Sequence, residues 1–136
     1  MNFVMDACAM IAYLRGEDGS EVVESILMKE ENRCVAHAIN LCEVYYDFIR
    51  ALNEETAHKA IVELQTVGLI TSEDMDLPFW QKAGKFKAEE RKVSLADCFA
   101  VTLAIRENAT LVTSDHHEFD PILENGNCPV PVKFIR

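Results

Sequence analysis

Residues 94–115 read SLADCFAVTLAIRENATLVTSD and set the architecture expected of the whole chain. At 3.6 residues per turn, the first half of this stretch leaves almost no polar face, which is typical of a helix buried on nearly all sides. After Asn108 a short β-branched run, ATLVT, predicts a strand enclosed on both faces. Asp97 lies in the first turn of that helix, and Asp115 lies just beyond the strand. Because an unpaired buried carboxylate is costly, both acids point to a function rather than to solubility.

Short apolar strands alternate with helical patterns along the rest of the chain. This alternation predicts an α/β fold, a three-layer α/β/α sandwich with a mostly parallel central sheet. No repeat, linker or low-complexity segment divides the sequence, so a single domain over residues 1–136 is expected. Strands are predicted at 2–5, 34–36, 69–71, 109–113 and 132–135. Helices are predicted at 7–14, from 22 to near 32, and at 38–52, 54–67, 78–88 and 94–107, with a polar loop containing Phe119 and Pro121 before the last strand.

The pattern of the long helix at 38–52 predicts a broad buried arc and one narrow polar stripe. The stripe contains Asn40, Glu43, Asp47 and Arg50. Glu43 therefore lies mid-helix among polar neighbours, and we expect the opposite arc to face the core. The residues expected in the buried arc are Ile39, Leu41, Cys42, Val44, Tyr45, Tyr46, Phe48 and Ile49.

Composition narrows the possible functions. The formal net charge of −10 argues against simple nucleic-acid binding, which relies on Lys and Arg. Acids that converge on a divalent cation would change this balance, because the metal would then meet the phosphate. The 5 cysteines form no C-x-x-C pair, which favours reduced thiols and a cytoplasmic protein. No apolar run approaches the roughly 20 residues that span a bilayer, so no membrane association is expected.

Three aspartates are expected to meet at one edge of the sheet. Asp6 and Asp115 each follow a predicted strand, and the carboxyl ends of parallel strands share an edge. Asp97 opens the helix that runs back antiparallel to the 109–113 strand, so it begins at the same edge. Glu43 joins them if its helix lines that edge with its polar stripe. Four oxygen ligands without His or Cys suit one or two Mg²⁺ or Mn²⁺ ions.

Each of these acids also has an ordinary structural explanation. Asp6 can cap the following helix, and Ser94-x-x-Asp97 has the spacing of a capping box. Glu43 can be a solvated helix residue and Asp115 a turn former. All four at one edge favour the metal site, with Thr113 and Ser114 as possible supporting hydroxyls at the end of the strand.

Other polar and thiol residues near these positions are weaker candidates. His116 and His117 are expected to be solvated and are left out of catalysis. Cys8, Cys42 and Cys98 are expected to be small core residues rather than metal ligands. The only local basic excess is a helix carrying Lys82, Lys85, Lys87, Arg91 and Lys92, which is either a modest RNA path or a solvated face.

The chain resembles a PIN-domain ribonuclease of the VapC-like toxin type. The likeness rests on a first strand ending in Asp6, on Glu43 within NLCEVYY, on SLAD ending at Asp97, and on LVTSD ending at Asp115. These four match the family's acidic positions. The resemblance implies an α/β/α fold, Mg²⁺ or Mn²⁺ dependence, endonucleolytic RNA cleavage, homodimers and control by a paired antitoxin. Thr113 matches the family's hydroxyl position, whereas Cys8 stands where the family commonly has Ser or Thr.

Two other functions compete with the ribonuclease. One is a catalytically silent PIN-fold module that binds a protein or RNA, which the presence of all four acids argues against. The other is a phosphatase that uses Asp6 as a nucleophile. Enzymes similar to the haloacid dehalogenases carry a second aspartate two residues further on, where this chain has Cys8.

Overall fold

The computed structural model describes all 136 residues, Met1–Arg136. Strands and helices alternate, and the sheet has 5 strands in the order β3-β2-β1-β4-β5 with every neighbouring pair parallel. The predicted parallel α/β architecture is confirmed. The elements are β1 (Asn2–Met5), α1 (Ala7–Arg15), α2 (Ser20–Met28), β2 (Arg33–His37), α3 (Ala38–Ala51), α4 (Glu54–Thr66), β3 (Ile70–Ser72), α5 (Leu77–Glu89), α6 (Leu95–Arg106), β4 (Thr110–Thr113), α7 (His116–Glu124) and β5 (Val132–Phe134).

Side chains of the central strands alternate between two hydrophobic cores, one on each face of the sheet. In β1, Phe3 and Met5 enter the core formed with α1, α2, α3 and α4. Val4 enters the opposite core, formed with α5, α6 and α7. Successive residues of a strand point to opposite faces, so one short strand holds both cores together. The molecule is thus the three-layer sandwich that the sequence predicts.

Helix α6 is buried along most of its length, as its sequence predicts. Its residues from Asp97 to Ala104 are all buried. The backbone N–H groups at the start of a helix need hydrogen-bond acceptors, and Ser94 Oγ provides one by accepting the N–H of Asp97 at 3.2 Å. The first turn of α6 is therefore fixed at the carboxyl edge of the sheet.

Helix α7 replaces the polar loop expected around Phe119 and Pro121, so that prediction is wrong. Asp115 accepts the N–H of Glu118 at 3.0 Å and starts the helix. Phe119 and Ile122, one turn apart, are buried in the second core. This burial stabilises the helix although Pro121 lies inside it and lacks a hydrogen-bond donor.

Helix α3 buries a narrower face than its sequence predicts. Leu41, Val44 and Phe48 follow the i, i+3, i+7 spacing of one face and are buried. Asn40, expected on the polar stripe, is completely buried. The other apolar side of α3 is exposed because no element of the chain covers it. The exposed residues there are Cys42, Tyr46 (43 % exposed) and Ile49 (38 % exposed).

The strand order places a crevice beside the central strand. The chain builds outward from β1 to β2 and β3, then returns to the other side of β1 to form β4 and β5. Ligands of open parallel sheets bind at such a reversal, beyond the carboxyl ends of the strands. The ends of β1 and β4 meet there.

No helix of the chain has the length and apolar character needed to cross a membrane.

Candidate metal centre

Asp6 follows β1 directly and is completely buried. Its backbone N–H donates to the Val112 carbonyl at 3.2 Å, so the pairing of β1 with β4 continues into the site. Oδ1 accepts the N–H of Ala9 at 2.9 Å and caps α1, whereas Oδ2 has no hydrogen-bond partner. Burial raises the pKa of Asp6 to about 7, and the nearby Thr113 hydroxyl and the Ala9 N–H oppose this rise only in part. Capping therefore accounts for only one of its two oxygens.

Asp97 does not use its carboxylate to cap α6, although its spacing from Ser94 is that of a capping box. Ser94 Oγ accepts the backbone N–H of Asp97. The Asp97 carboxylate, however, does not accept the Ser94 N–H, as it would in a complete capping box. The Ser94 N–H donates instead to Oε1 of Glu118 at 3.2 Å. Burial raises the pKa of Asp97, and the adjacent carboxyls of Glu118 and Asp6 raise it further. The cap alone does not explain an acid at this position.

Asp115 caps α7 and Glu118 lies in its first turn, beside Asp97. Asp115 is half-buried, and its N–H donates to Thr113 Oγ1 at 3.0 Å. One oxygen from each of Asp97, Asp115 and Glu118 lies within 4.8 Å of the other two. Oδ1 of Asp115 holds the Glu118 N–H, and Oε2 of Glu118 is buried without a partner. This spacing suits oxygen coordination of a small divalent cation.

The sequence does not single out Glu118, because its segment has the pattern of a polar loop, in which a glutamate has no fixed direction. The available signal is Asp115-x-x-Glu118, a capping-box spacing followed by apolar residues, which marks the start of a helix. Once α7 is recognised, its first turn brings Glu118 back to the site.

Glu43 reaches the centre from α3. Its side chain is half-buried, and its one hydrogen bond is accepted from Nδ2 of Asn40 at 3.4 Å. Burial raises the pKa of Glu43, the charge of Glu118 adds to this, and the bond from Asn40 opposes it. The Glu43 charge in turn raises the pKa of Asp6 and of Asp97. Glu43 therefore lies near enough to Asp6 and Asp97 for its charge to act on both, while the oxygens within 4.8 Å of one another are those of Asp97, Asp115 and Glu118.

The centre has more negative charge than the chain itself neutralises. None of its five acids forms a salt bridge, since the eight ion pairs of the chain all involve other acids. The chain has three buried side-chain oxygens without a hydrogen-bond partner, on Asp6, Asn40 and Glu118, and all three residues belong to this region. Buried acceptors without donors are unusual and call for an explanation. A hard cation fits this set of oxygens.

Thr113 and the cysteines have distinct places around the centre. Thr113 is buried, and its hydroxyl binds Asp115 and lowers the pKa of Asp6. Cys98 is a core residue, as predicted, whereas Cys8 and Cys42 are exposed, which corrects the expectation for both. Desolvation and the charge of Asp6 raise the pKa of Cys8 to about 12, so the thiol form is favoured there.

Ser114, the second possible supporting hydroxyl, is half-buried next to Cys8. Its backbone carbonyl accepts the N–H of His116 at 3.1 Å. A hydrogen bond between its side chain and Cys8 lowers the pKa of that thiol, although desolvation outweighs it. Ser114 therefore contacts the rim of the centre rather than the acids themselves.

The histidines after Asp115 differ in their surroundings. His116 Nε2 donates to the Arg136 carbonyl at 2.8 Å, and its ring stacks on Phe134 at 3.8 Å. The Arg136 carbonyl and the carboxylate of Asp120 raise the pKa of His116. His116 thus links α7 to the end of β5. His117 is exposed and makes no side-chain hydrogen bond.

The basic helix provides fewer free cations than its sequence suggests. Lys87 Nζ donates to the carbonyls of Arg91 and Val93 at 2.8 and 2.7 Å, so it closes the end of α5. The remaining basic side chains of this segment are free to meet a phosphate. They are Lys82, Lys85, Arg91 and Lys92, all exposed.

A surface cavity of about 590 Å³ lies away from the acids. It is lined by residues that include Phe3, Val22, Thr110 and Lys133. Thr110 opens β4 and Phe3 lies near the start of β1, so the cavity is beside the amino ends of the strands. The acidic centre is instead a compact cluster at the opposite edge.

Comparison with known proteins identifies the family. A sequence model of the PIN domain matches residues 3–122. The chain belongs to the PIN-domain family. No curated protein sequence is significantly similar to it.

Solved structures of toxin–antitoxin proteins share the fold. A chain of the VapBC2 complex from Rickettsia felis, bound to a promoter DNA fragment, is 17% identical with a TM-score of 0.73 over 98% of both chains. VapBC-1 from nontypeable Haemophilus influenzae is 18% identical, with a TM-score of 0.69 over 99% of this chain and 98% of that one. VapC20 from Mycobacterium tuberculosis, a toxin that cleaves the sarcin-ricin loop, is 11% identical, with a TM-score of 0.70 over 88% and 94%.

Proposed function

We propose that this PIN-domain protein is a Mg²⁺- or Mn²⁺-dependent endoribonuclease, the toxin component of a toxin–antitoxin pair, acting as one domain over residues 1–136. The observation that carries the proposal is the uncompensated charge of the centre. Its buried oxygens include three without donors, and no Lys, Arg or His of the chain pairs with its acids. Hydrolysis of a phosphodiester is the reaction for which such an oxygen-only centre is suited.

Asp6, Glu43, Asp97 and Asp115 are the proposed ligands of one or two cations, and Glu118 joins them. When bound, a divalent cation would lower the pKa of an attacking water and stabilise the leaving oxygen. The chain positions the ligands. Asp6 is held by the end of β1 and Asp97 by the first turn of α6, so both stand on rigid elements.

Protons compete with the cation for these oxygens. Asp6, with a pKa of about 7, is close to half protonated at neutral pH when no cation is present. Burial and neighbouring acids favour a proton on Asp97 as well. Cation binding therefore releases protons and strengthens as pH rises.

RNA is the proposed substrate, and the bound cation is its principal contact with this acidic chain. The net charge of −10 makes a metal-free cleft repel phosphate. Lys82, Lys85, Arg91 and Lys92 lie exposed on or next to α5 and add a peripheral attraction. The similarity to the fold of VapC20, described as a toxin that cleaves the sarcin-ricin loop, supports RNA over other phosphodiesters.

An antitoxin protein and a second copy of this chain are the proposed partners. VapBC complexes with the same fold support the antitoxin. The exposed apolar side of α3, with Tyr46 and Ile49, supports a homodimer because a monomer rarely leaves such a stripe uncovered. The free thiols of all five cysteines support a location in the reducing cytoplasm.

The test is incubation of the purified protein with structured RNAs, with Mn²⁺ or with EDTA. We expect discrete RNA fragments with Mn²⁺ and none with EDTA. Asp115→Asn keeps the oxygen that caps α7 and removes one charge, so it should be folded and inactive, whereas exposed His117→Ala should cleave normally. RNA binding without cleavage by the wild-type protein would favour the silent module, and release of inorganic phosphate from a monoester would favour the phosphatase.

A further inference from the structure

Asn40 is the only amide side chain that is buried in this protein. It lies in the first turn of α3 and has no exposed surface. A buried amide is costly unless all its groups are paired, and Oδ1 of Asn40 has no partner. An apolar residue of similar size would cost less at this position. The amide therefore needs an explanation other than stability.

The two hydrogen bonds of Asn40 join different parts of the acidic centre. Nδ2 donates to Oε1 of Glu43 at 3.4 Å and to the Ala96 carbonyl at 3.2 Å. Ala96 directly precedes Asp97 in the first turn of α6. The amide orientation is fixed, because a flipped side chain would turn Oδ1 towards two acceptors.

Glu43 depends on this contact more than the other acids depend on theirs. Asp6 directly follows β1, Asp97 lies in the capped first turn of α6 and Asp115 caps α7, so the backbone positions them. Glu43 extends a longer side chain from α3, is half-buried, and has no other hydrogen-bond partner. Without Asn40 its carboxylate has several rotamers and nothing that selects the one facing α6.

We propose that Asn40 is a positioning residue that ties the Glu43 carboxylate to the first turn of α6, next to Asp97. The inference rests on the proposed cation site and adds a role for a residue outside its ligand set. Partners that hydrogen-bond to metal ligands typically contribute about 10- to 100-fold in metal affinity. Asn40 acts in this way through Glu43, without contact to the cation.

The experiment measures Mn²⁺ affinity by the electron paramagnetic resonance signal of free Mn²⁺, together with urea denaturation in EDTA. Asn40→Leu should bind Mn²⁺ about 10- to 100-fold more weakly and be at least as stable as the wild type. Asn2→Leu is the matched control. Asn2 Nδ2 also donates to a backbone carbonyl, that of Glu107 at 2.9 Å, but at the far end of the sheet, and its loss should leave Mn²⁺ affinity unchanged.

A double-mutant cycle tests whether Asn40 acts through Glu43. In a Glu43→Gln background, Asn40→Leu should weaken Mn²⁺ binding by less than about twofold, because the carboxylate it positions is gone. Equal losses in both backgrounds overturn the mechanism, and so does an Asn40→Leu protein with wild-type Mn²⁺ affinity.

Two further outcomes separate the possible failures. Should Asn40→Leu fail to fold, Asn40→Ala removes the donor without adding bulk or charge; if that protein also unfolds, Asn40 is a structural residue and the proposal is wrong. A wild-type protein that does not bind Mn²⁺ at all would instead refute the proposed function.

Discussion

The backbone N–H of Ser94 donates to Oε1 of Glu118 at 3.2 Å, across 24 residues of sequence. This bond takes the place of the local one that Asp97 would make in a complete capping box. Glu118 thereby caps α6 from outside the helix in place of the Asp97 carboxylate. Its other oxygen, Oε2, is buried without a donor beside Asp97 and Asp115.

Glu118→Gln is expected to separate these two roles of Glu118. The amide oxygen can still accept the Ser94 N–H, so the start of α6 is preserved. The loss of one charge from the cluster should weaken Mn²⁺ binding and RNA cleavage by at least about tenfold, the scale seen for groups that support a metal site. Mn²⁺ titration, cleavage rates and thermal unfolding in EDTA check this, and a lower unfolding temperature with unchanged Mn²⁺ affinity would make Glu118 a cap only.

Asp97→Asn is expected to abolish cleavage without unfolding the protein. The Ser94 cap uses the backbone N–H of Asp97, which the variant retains. Removing one of several crowded like charges should leave the metal-free protein as stable as the wild type or more so. The control is Ser94→Ala, which loses the cap and should cost about 1 kcal/mol in the free energy of unfolding. A destabilised Asp97→Asn protein would mean that Asp97 has a purely structural role.

The metal-free protein should lose stability as pH rises from about 4 to about 7. Asp6 has an ordinary pKa of 3.8 and a folded-state pKa of about 7, so between these values the folded protein holds a proton that the unfolded chain has released. The stabilisation is complete below the unfolded pKa and is lost as pH passes the folded one. A shift of this size corresponds to about 4 kcal/mol at most.

Urea denaturation in EDTA at a series of pH values measures this loss. Asp6→Asn removes one of the groups responsible and should make the decline between pH 4 and 7 shallower, while Asp97 and Glu43, whose pKa values are also raised, retain part of it. Mn²⁺ should stabilise the wild type more at high pH than at low pH, because protons no longer compete for the oxygens. Parallel pH profiles of wild type and Asp6→Asn would contradict the assignment of the effect to this carboxyl.

RNA affinity should depend on Mg²⁺ in an inactive variant that keeps most of the site. Glu43→Gln retains the other acids, so we expect Mg²⁺ to raise its RNA affinity and RNA to raise its Mg²⁺ affinity by the same factor. Titration of labelled RNA at fixed ionic strength measures this coupling. Replacing the four exposed basic residues of the 82–92 segment should reduce the salt dependence only slightly. RNA binding that ignores Mg²⁺ but is lost with those residues favours the silent module.

Lys87 provides the matched control for that experiment. Its Nζ closes the end of α5 on the carbonyls of Arg91 and Val93. Lys87→Met should therefore lower the free energy of unfolding and leave the RNA affinity of the folded protein unchanged.

The sequence predicts those parts of the centre that local pattern determines. Asp6 and Asp115 end strands that are readable as short apolar runs, and parallel pairing brings such ends together. Asp97 follows from the start of a fully apolar helix. The parallel three-layer fold and the shared edge of the three aspartates could therefore be predicted from one sequence, whereas the place of Glu43 depended on where α3 packs.

Asn40 and Glu118 could not be assigned in the same way, because their roles depend on contacts between distant elements. Helical periodicity put Asn40 on a polar stripe, yet α6 covers it, since its amide meets the Ala96 carbonyl. The exposed face of α3 is unpredictable for a related reason, because periodicity indicates an apolar face and does not say what covers it. Pro121 and two histidines conceal the short amphipathic helix that carries Glu118.

The hydrogen bond from the Asp6 N–H to the Val112 carbonyl fixes the position of Asp6 relative to β4. Since this bond extends the β1–β4 ladder past the end of β1, the spacing between the Asp6 and Asp115 segments is set by the main chain, where neighbouring strands lie about 4.8 Å apart. Core side chains on either face can change in size, at a cost in stability, without altering that spacing. Mutations in the two cores should therefore leave the distance between these two acids unchanged.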